Sequence, residues 1–270
     1  MAASHVILLD NGSLAPEATR ELRRLASALS ARAGVAVEPV SLLHSNAIPA
    51  GALDGQPAEI FEPAVARRAA AGAGDFLVVP LFFGPSRALT GYLPERVAHL
   101  RRQYPGLRVR LAPTVHRWGD LRLAHILADH VRGTAPEGRR VVLVDHGSPA
   151  REVTAVRDAL AAELQEALGR NATVAAGSME RRPEPEYDFN APLLADLLDQ
   201  PGWDVGEVAV AMQFFLPGRH AGPDGDVAQI CRAAEARHAG LRTRLTPLVS
   251  AHPLLVEILA DRMREPSREL

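Results

Sequence analysis

The chain has 270 residues, of which 47% are hydrophobic, and a formal net charge of −2. A charge so close to zero provides no basic field for nucleic acid or an anionic membrane, so we expect neither as a partner. Cys231 is the only cysteine, which excludes an internal disulfide and a cysteine-built metal cluster and favours a cytoplasmic location. All 30 basic residues are arginine. Without lysine there is no Walker A loop, and no glycine-rich dinucleotide loop follows the first strands, so we expect no ATP or other nucleotide.

Three pairs of similar segments predict an internal duplication. The pairs are residues 5–13 with 140–148, 75–83 with 207–215, and 107–113 with 241–247. Their offsets are 135, 132 and 134 residues, and they occur in the same order. Each segment is short and mainly apolar, as expected for a buried strand. The chain is therefore interpreted as two diverged copies of one unit.

Each copy has the pattern of a parallel α/β unit. Between the predicted strands, apolar residues recur at helical spacing, as in residues 22–29 and 153–160. Apolar strands without polar alternation are typical of parallel sheets that are covered by helices on both faces. The sequence thus predicts two tandem flavodoxin-like (Rossmann-like) units, each with the order β-α-β-α-β-α-β-α.

The domain boundaries follow from the same repeat. We expect a first copy in residues 1–133 and a second in residues 139–265, joined by a linker in residues 134–138. Residues 265–270 are expected to form a frayed tail.

Two histidines of the second copy follow strands that should be neighbours. His146 comes directly after the first strand of that copy, and His220 comes after the third. In a flavodoxin-like strand order, ligands bind at the carboxyl ends of these two strands. A neutral imidazole can bind a transition metal or accept a proton near pH 7. In the first copy Asn11 and Ala88 take these places, so the fold itself does not require histidine there.

Other residues near these strands carry weaker signals. Ser148 follows the first histidine, but the chain contains no G-x-S-x-G motif of a serine hydrolase. The remaining histidines are interpreted as surface or packing residues. His116 and His252 are the two of these that could reach the cleft, because both follow a fourth strand.

The histidine motifs resemble those of a known enzyme family. Residues 145–148 (Asp-His-Gly-Ser) and residues 214–220 (Phe-Phe-Leu-Pro-Gly-Arg-His) resemble the class II tetrapyrrole chelatases, and residues 246–253 resemble the segment before the last helix in that family. The closest likeness is to the sirohydrochlorin chelatases. The resemblance implies ATP-independent insertion of a divalent metal, Co²⁺ or Fe²⁺ with Ni²⁺ also possible, into sirohydrochlorin or a similar tetrapyrrole, in cobalamin or siroheme biosynthesis.

The resemblance also implies roles for individual residues. His146 and His220 correspond to the two metal-handling histidines, which would bind the ion and accept the pyrrole protons. Glu180 is the nearest candidate for an assisting carboxylate, with Glu184 as the alternative register. The residues expected to bind the carboxylates of the tetrapyrrole are Arg219, Arg181, Arg182 and Ser148. Asp224 and Asp226 resemble an acidic stretch that follows the second histidine in relatives.

Several alternatives remain open from the sequence. The protein could be a non-catalytic relative that binds metal or tetrapyrrole, or a hydrolase that uses a metal-bound water. It could be a monomer or a homodimer. The segment Tyr187–Asn190 fits no pattern that assigns it a role.

Overall fold

The computed structural model describes residues 5–136 and 139–270. The elements of the first copy are β1 (His5–Asp10), α1 (Pro16–Ala33), β2 (Val37–Ser41), α2 (Phe61–Ala70), β3 (Asp75–Pro80), α3 (Leu93–Gln103), β4 (Arg108–Leu111) and α4 (Arg122–Thr134). Those of the second copy are β5 (Arg140–Asp145), α5 (Arg151–Leu168), β6 (Thr173–Ser178), α6 (Leu194–Leu198), β7 (Gly206–Met212), α7 (Asp226–Arg237), β8 (Leu241–Leu245) and α8 (Leu254–Arg264). A last strand, β9, comprises Arg268–Glu269. The alternation of strands and helices confirms the predicted α/β class.

The first sheet has the strand order β2-β1-β3-β4-β9. Its first four strands are parallel, whereas β9 pairs antiparallel with β4. The expectation of a frayed tail after residue 265 was therefore wrong. The edge of β4 offers unpaired backbone groups, and the N–H of Leu270 donates to the carbonyl oxygen of Val109 at 2.9 Å. Leu270 also packs on the core of this unit.

The second sheet has the order β6-β5-β7-β8, and all its strands are parallel. This is the flavodoxin-like arrangement predicted from the sequence, with the first strand between the second and the third. The carboxyl ends of β6, β5 and β7 consequently lie side by side at one edge of the sheet. The loops that follow these strands carry Glu180, His146 and His220, respectively.

The strands of the second sheet are covered on both faces. Residues 141–144 of β5 are completely buried, so side chains on both sides of the strand lie in the core. Val142, Val144, Val208 and Val210 pack in one apolar cluster with the helices that flank the sheet. None of the helices in the described residues has the length and apolar character needed to cross a membrane.

The compact units are divided differently from the two sequence copies. The first unit consists of the described residues up to Arg117 together with Pro253–Leu270, and the second consists of Trp118–His252. In the first unit α8 packs beside α1 and β3, and in the second α4 packs beside α5 and β7. The last helix of each copy is thus grouped with the sheet of the other copy. In the predicted linker, Thr134 is the last residue of α4, and residues 137 and 138 lie outside the described residues.

Candidate metal-handling site

The loop after β5 is held against the loop after β6 by backbone contacts. The N–H of Met179 donates to the carbonyl of Asp145 at 2.7 Å, and the N–H of Glu180 donates to that of His146 at 3.2 Å. Gly147 has a φ of +89°, and a Cβ at this position would lie 1.9 Å from the carbonyl oxygen of Glu180. Only glycine fits this approach. The tight turn is the reason that His146 and Glu180 stand next to each other.

The imidazoles of His146 and His220 face each other across this edge of the sheet. Their ring centroids are 4.6 Å apart, and the ring planes make an angle of 79°. The side chain of His146 is 47% exposed and that of His220 is 33% exposed. The structure therefore brings together the two histidines that the topology predicted to be neighbours and leaves both accessible to a ligand.

Hydrogen bonds at Nδ1 orient both imidazoles in the same way. Nδ1 of His146 lies 2.9 Å from the carbonyl oxygen of Gly147, and Nδ1 of His220 lies 2.7 Å from Oδ2 of Asp226. A carbonyl and a carboxylate can only accept, so Nδ1 carries the proton in each ring. The lone pair of Nε2 is then free in both neutral imidazoles. A carboxylate behind a histidine is a common outer partner of metal-binding imidazoles, because it fixes the tautomer and raises the basicity of the ring.

Glu180 completes the group of side chains. Its Oε1 lies 3.5 Å from Nε2 of His146. Both atoms are acceptors when the imidazole is neutral, so the pair attracts a cation, either a proton or a metal ion, between them. The structure thus places Glu180 beside the histidines, whereas Glu184 is exposed and its carbonyl accepts from the N–H of Tyr187 at the start of a 3-10 turn.

Asp226 owes its position to a compact loop between β7 and α7. It is the first residue of α7, its N–H donates to the carbonyl of Arg219, and the N–H of Val227 donates to that of His220. A Cβ at Gly225 would lie 2.7 Å from the carbonyl oxygen of His220. The loop is therefore folded back on the histidine that it carries. The sequence placed Asp226 in an acidic stretch but did not predict its bond to His220.

A buried carboxylate and a buried arginine lie below this site. Burial raises the pKa of Asp145, and the hydroxyl of Ser178 and the charge of Arg157 oppose that rise. Ser178 donates to Asp145 at 2.6 Å, and Nη1 of Arg157 donates to Ser178 at 2.7 Å. Arg157 is 2% exposed and also donates to the carbonyl of Asn190. This network was not predicted from the sequence.

The segment Tyr187–Asn190 now has a structural role. The side chain of Asn190 is buried; its Oδ1 accepts from the N–H of Ser148 and from the hydroxyl of Thr154, while its Nδ2 donates to the carbonyl of Ser148. The hydroxyl of Ser148 accepts from the N–H of Ala150 at the start of α5. Asn190 and Ser148 therefore hold the loop that carries His146.

The predicted arginines differ in their surroundings. Arg219 is 85% exposed and lies 3.7 Å from Asp226. Nη1 of Arg181 lies 3.0 Å from Oδ1 of Asp188, and the guanidinium of Arg182 packs over the ring of Tyr187. Arg181 and Arg182 are thus already engaged within their own loop, and Arg219 is the arginine with its guanidinium in solvent next to the histidine pair.

The two remaining histidine candidates lie elsewhere. His116 is buried in the first compact unit. The ring of His252 packs against that of His130. Within residues 5–136 and 139–270, no three His, Cys, Asp or Glu side chains converge closely enough to form a ready-made metal site. The group formed by His146, His220 and Glu180 is therefore open.

The first copy repeats the scaffold without the chemistry. The N–H of Leu43 donates to the carbonyl of Asn11, which is the bond that Glu180 makes to His146 in the second copy. Asn11 and Leu43 thus take the positions of the first histidine and the glutamate, and Ala88 takes that of the second histidine. Neither a metal-binding imidazole nor a carboxylate is present at these three positions.

Comparisons with known proteins agree with this architecture. A family model described as CbiX matches residues 5–131 and, a second time, residues 140–266. The chain belongs to the CbiX family and carries two tandem copies of its unit. The predicted resemblance to sirohydrochlorin chelatases is thereby confirmed at the level of the family. No curated protein matches the sequence.

Chelatases are also found among similar solved structures. SirB from Bacillus subtilis with Fe³⁺ has a TM-score of 0.71 at 18% identity, over 97% of this chain and 95% of that one. SirB from B. subtilis subspecies spizizenii in complex with cobalt has a TM-score of 0.70 at 17% identity, over the same shares. CbiX from denitrifying bacteria, described as the terminal enzyme of siroheme biosynthesis, has a TM-score of 0.59 at 19% identity, over 97% and 98%. At these identities the likeness establishes the shared fold.

Proposed function

We propose that this protein is a metal chelatase that inserts Co²⁺ or Fe²⁺ into sirohydrochlorin or a closely similar tetrapyrrole, without ATP. The observation that carries the proposal is the arrangement of His146, His220 and Glu180, with both free Nε2 atoms and a carboxylate at one accessible edge of the second sheet. Membership of the CbiX family and the solved structures of SirB with iron and with cobalt support it.

The histidine pair suits the entry of the metal ion. Imidazole nitrogen binds Fe²⁺, Co²⁺ and Ni²⁺, and the open arrangement leaves coordination positions for water and for the tetrapyrrole. The ion is a substrate and has to leave for the macrocycle, so a closed cage of protein ligands would oppose the reaction. Two imidazoles and one carboxylate hold the ion without enclosing it.

The same groups suit the removal of protons. Metal insertion replaces two pyrrole N–H protons, and an imidazole is a suitable acceptor near neutral pH. The bond from Nδ1 of His220 to Asp226 fixes the tautomer in which Nε2 can accept a proton. We assign one proton to Nε2 of His220 for this reason, and the other to His146 with Glu180 as the neighbouring carboxylate.

The tetrapyrrole would be recognised through its carboxylates. Arg219 presents an exposed guanidinium beside the histidine pair, and its fork geometry matches a carboxylate. Arg181 and Arg182 could contribute by exchanging their present partners, Asp188 and Tyr187, for the substrate. Arg219→Ala should therefore raise KM more than it lowers kcat.

The test follows the absorbance change when sirohydrochlorin is mixed with Co²⁺, Fe²⁺ or Ni²⁺ and the protein. We expect His146→Ala and His220→Ala each to lower the enzymatic rate by about 10²–10⁴-fold, the range for loss of a general base. His125→Ala is the matched control, because His125 is an exposed histidine on α4. The fastest of the three ions at equal free concentration identifies the preferred metal.

The same experiment separates the alternatives. Metal and tetrapyrrole binding without acceleration over the protein-free reaction would indicate a carrier and would contradict the proposal. Turnover of an ester or phosphate that depends on His146, with no effect on sirohydrochlorin, would indicate a hydrolase.

A further inference from the structure

A second pair of histidines lies in the second compact unit, outside the site formed by His146 and His220. His130 is on α4, and His252 follows the 3-10 turn after β8. Their ring centroids are 5.6 Å apart, with an angle of 62° between the planes. Oδ2 of Asp129 lies 3.6 Å from Nε2 of His252. Two imidazoles and a carboxylate thus meet a second time.

The surroundings of His130 favour a ligand role. Its Nδ1 is buried and has no hydrogen-bond partner among the described residues. A buried ring nitrogen without a partner is unfavourable, and a bound cation would offset that cost.

We propose that His130, His252 and Asp129 form a second site for a divalent transition metal ion such as Co²⁺ or Fe²⁺. Two nitrogens and one carboxylate oxygen are a donor set that suits these ions better than Mg²⁺ or Ca²⁺, which prefer oxygen. Asp129 is 54% exposed and His252 is 22% exposed, so water can fill the remaining coordination positions. Like the first site, this set is open, and the ion would draw the three side chains together.

The site would give the unit a place to hold an ion in addition to the histidine pair at the ends of β5 and β7. It rests on contacts that are independent of tetrapyrrole chemistry. The proposal therefore concerns metal binding alone and goes beyond the proposed insertion activity.

The test uses Co²⁺ alone, without tetrapyrrole. The full-length protein with His146→Ala and His220→Ala lacks the first pair, and we expect it still to bind Co²⁺ with visible d–d absorption bands. Adding His130→Ala or His252→Ala should weaken this binding by more than about tenfold, at least the loss that removal of an outer-shell partner produces. Asp129→Asn should weaken it less, because the amide oxygen remains a neutral ligand.

His238→Ala is the matched control. The side chain of His238 is 26% exposed and lies 2.8 Å from Asp199, so it forms the same pair of residue types as His252 and Asp129. We expect no change in Co²⁺ binding in this variant. Absence of Co²⁺ binding in the His146→Ala, His220→Ala protein, or binding that survives both His130→Ala and His252→Ala, would overturn the site. Circular dichroism of the metal-free variants verifies folding, and the result for His252→Ala decides if His130→Ala is destabilised.

The Co²⁺-binding test measures no enzymatic activity, so it can contradict the second metal site without contradicting the proposed chelatase function. A chain that inserts metal but shows no second Co²⁺ ion refutes only the second site. A chain that binds Co²⁺ through His130 and His252 but leaves sirohydrochlorin unchanged refutes only the chelatase.

Discussion

The buried aspartates of the two copies provide a test of the electrostatic reasoning. Asp10 in β1 corresponds to Asp145 in β5, and both are buried. Burial raises the pKa of Asp10 from 3.8 to about 6, and the groups that oppose the rise are neutral: the hydroxyl of Ser41 and backbone N–H groups. At Asp145 the charge of Arg157 also opposes it. Arg157 is the seventh residue of α5, and the seventh residue of α1 is Leu22.

The sign of the effect at Asp10 follows from linkage. The unfolded chain releases this proton near pH 3.8, whereas the folded protein keeps it until about pH 6. The stabilisation is therefore fully present below about pH 4 and is lost as the pH rises through 6. The full loss amounts to about 3 kcal/mol, of which about 2 kcal/mol falls between pH 4.5 and pH 7.5.

Asp10→Asn removes this titration. We expect the free energy of unfolding of the variant, minus that of wild type, to increase by about 2 kcal/mol between pH 4.5 and pH 7.5. Urea unfolding followed by far-UV circular dichroism measures the difference, and hydrogen exchange of residues 5–10 assigns it to the first unit. Other titrating groups cancel because both proteins carry them.

The matched variant in the second unit should show a smaller change of the same sign. Burial raises the pKa of Asp145 as well, but the charge of Arg157 opposes that rise, so Asp145→Asn should gain less stability over wild type between pH 4.5 and pH 7.5 than Asp10→Asn does. A difference between Asp10→Asn and wild type that does not change with pH would refute the reasoning about burial. Equal stabilisation by Asp10→Asn and Asp145→Asn would refute the role of Arg157.

Two further variants probe the geometry of the site. Asp226→Asn should lower kcat/KM for metal insertion by about 10–100-fold, because the carboxylate orients the ring of His220. The control is Asp224→Asn, which removes a 94% exposed carboxylate two residues away and should leave kcat/KM unchanged. Gly147→Ala should lower both the melting temperature and the insertion rate, because its Cβ would meet a backbone carbonyl at 1.9 Å and its φ is +89°. Gly169→Ala separates the two causes: its φ is +78° with open space around it, so only the conformational strain of about 1–3 kcal/mol remains. An insertion rate in Gly147→Ala equal to that in Gly169→Ala would show that the close approach is not needed.

Features that depend on a local sequence pattern could be predicted from the sequence alone. Each of the six apolar segments overlaps an observed strand, and the repeat predicted that His146 and His220 would follow neighbouring strands. Strand periodicity, the duplication and the rule for parallel sheets require no knowledge of individual contacts. For the same reason they could not choose between Glu180 and Glu184, since the choice depends on the backbone bond of Glu180 to His146.

The missed features all depend on tertiary pairing. Strand β9 forms because the edge of β4 is available to a segment that is distant in sequence. Arg157 looks like an ordinary surface charge until its partners, Ser178 and Asn190, are known. One signal was nevertheless present: residues 153, 156, 157 and 160 follow the helical i, i+3, i+4, i+7 rule, so Arg157 lies on the apolar face.

The two copies separate what the fold needs from what the chemistry needs. Gly12 and Gly147 both have positive φ, and a Cβ at either would meet the carbonyl oxygen of the neighbouring loop, at 1.8 Å and 1.9 Å. The turn is therefore a property of the fold, because it is kept in the copy that has no histidine. The charged residues are distributed differently. In the second copy the buried Arg157 partly compensates the charge of the buried Asp145, and His146, the proposed metal ligand, directly follows that aspartate. The first copy has neither the arginine nor the histidine at the corresponding positions.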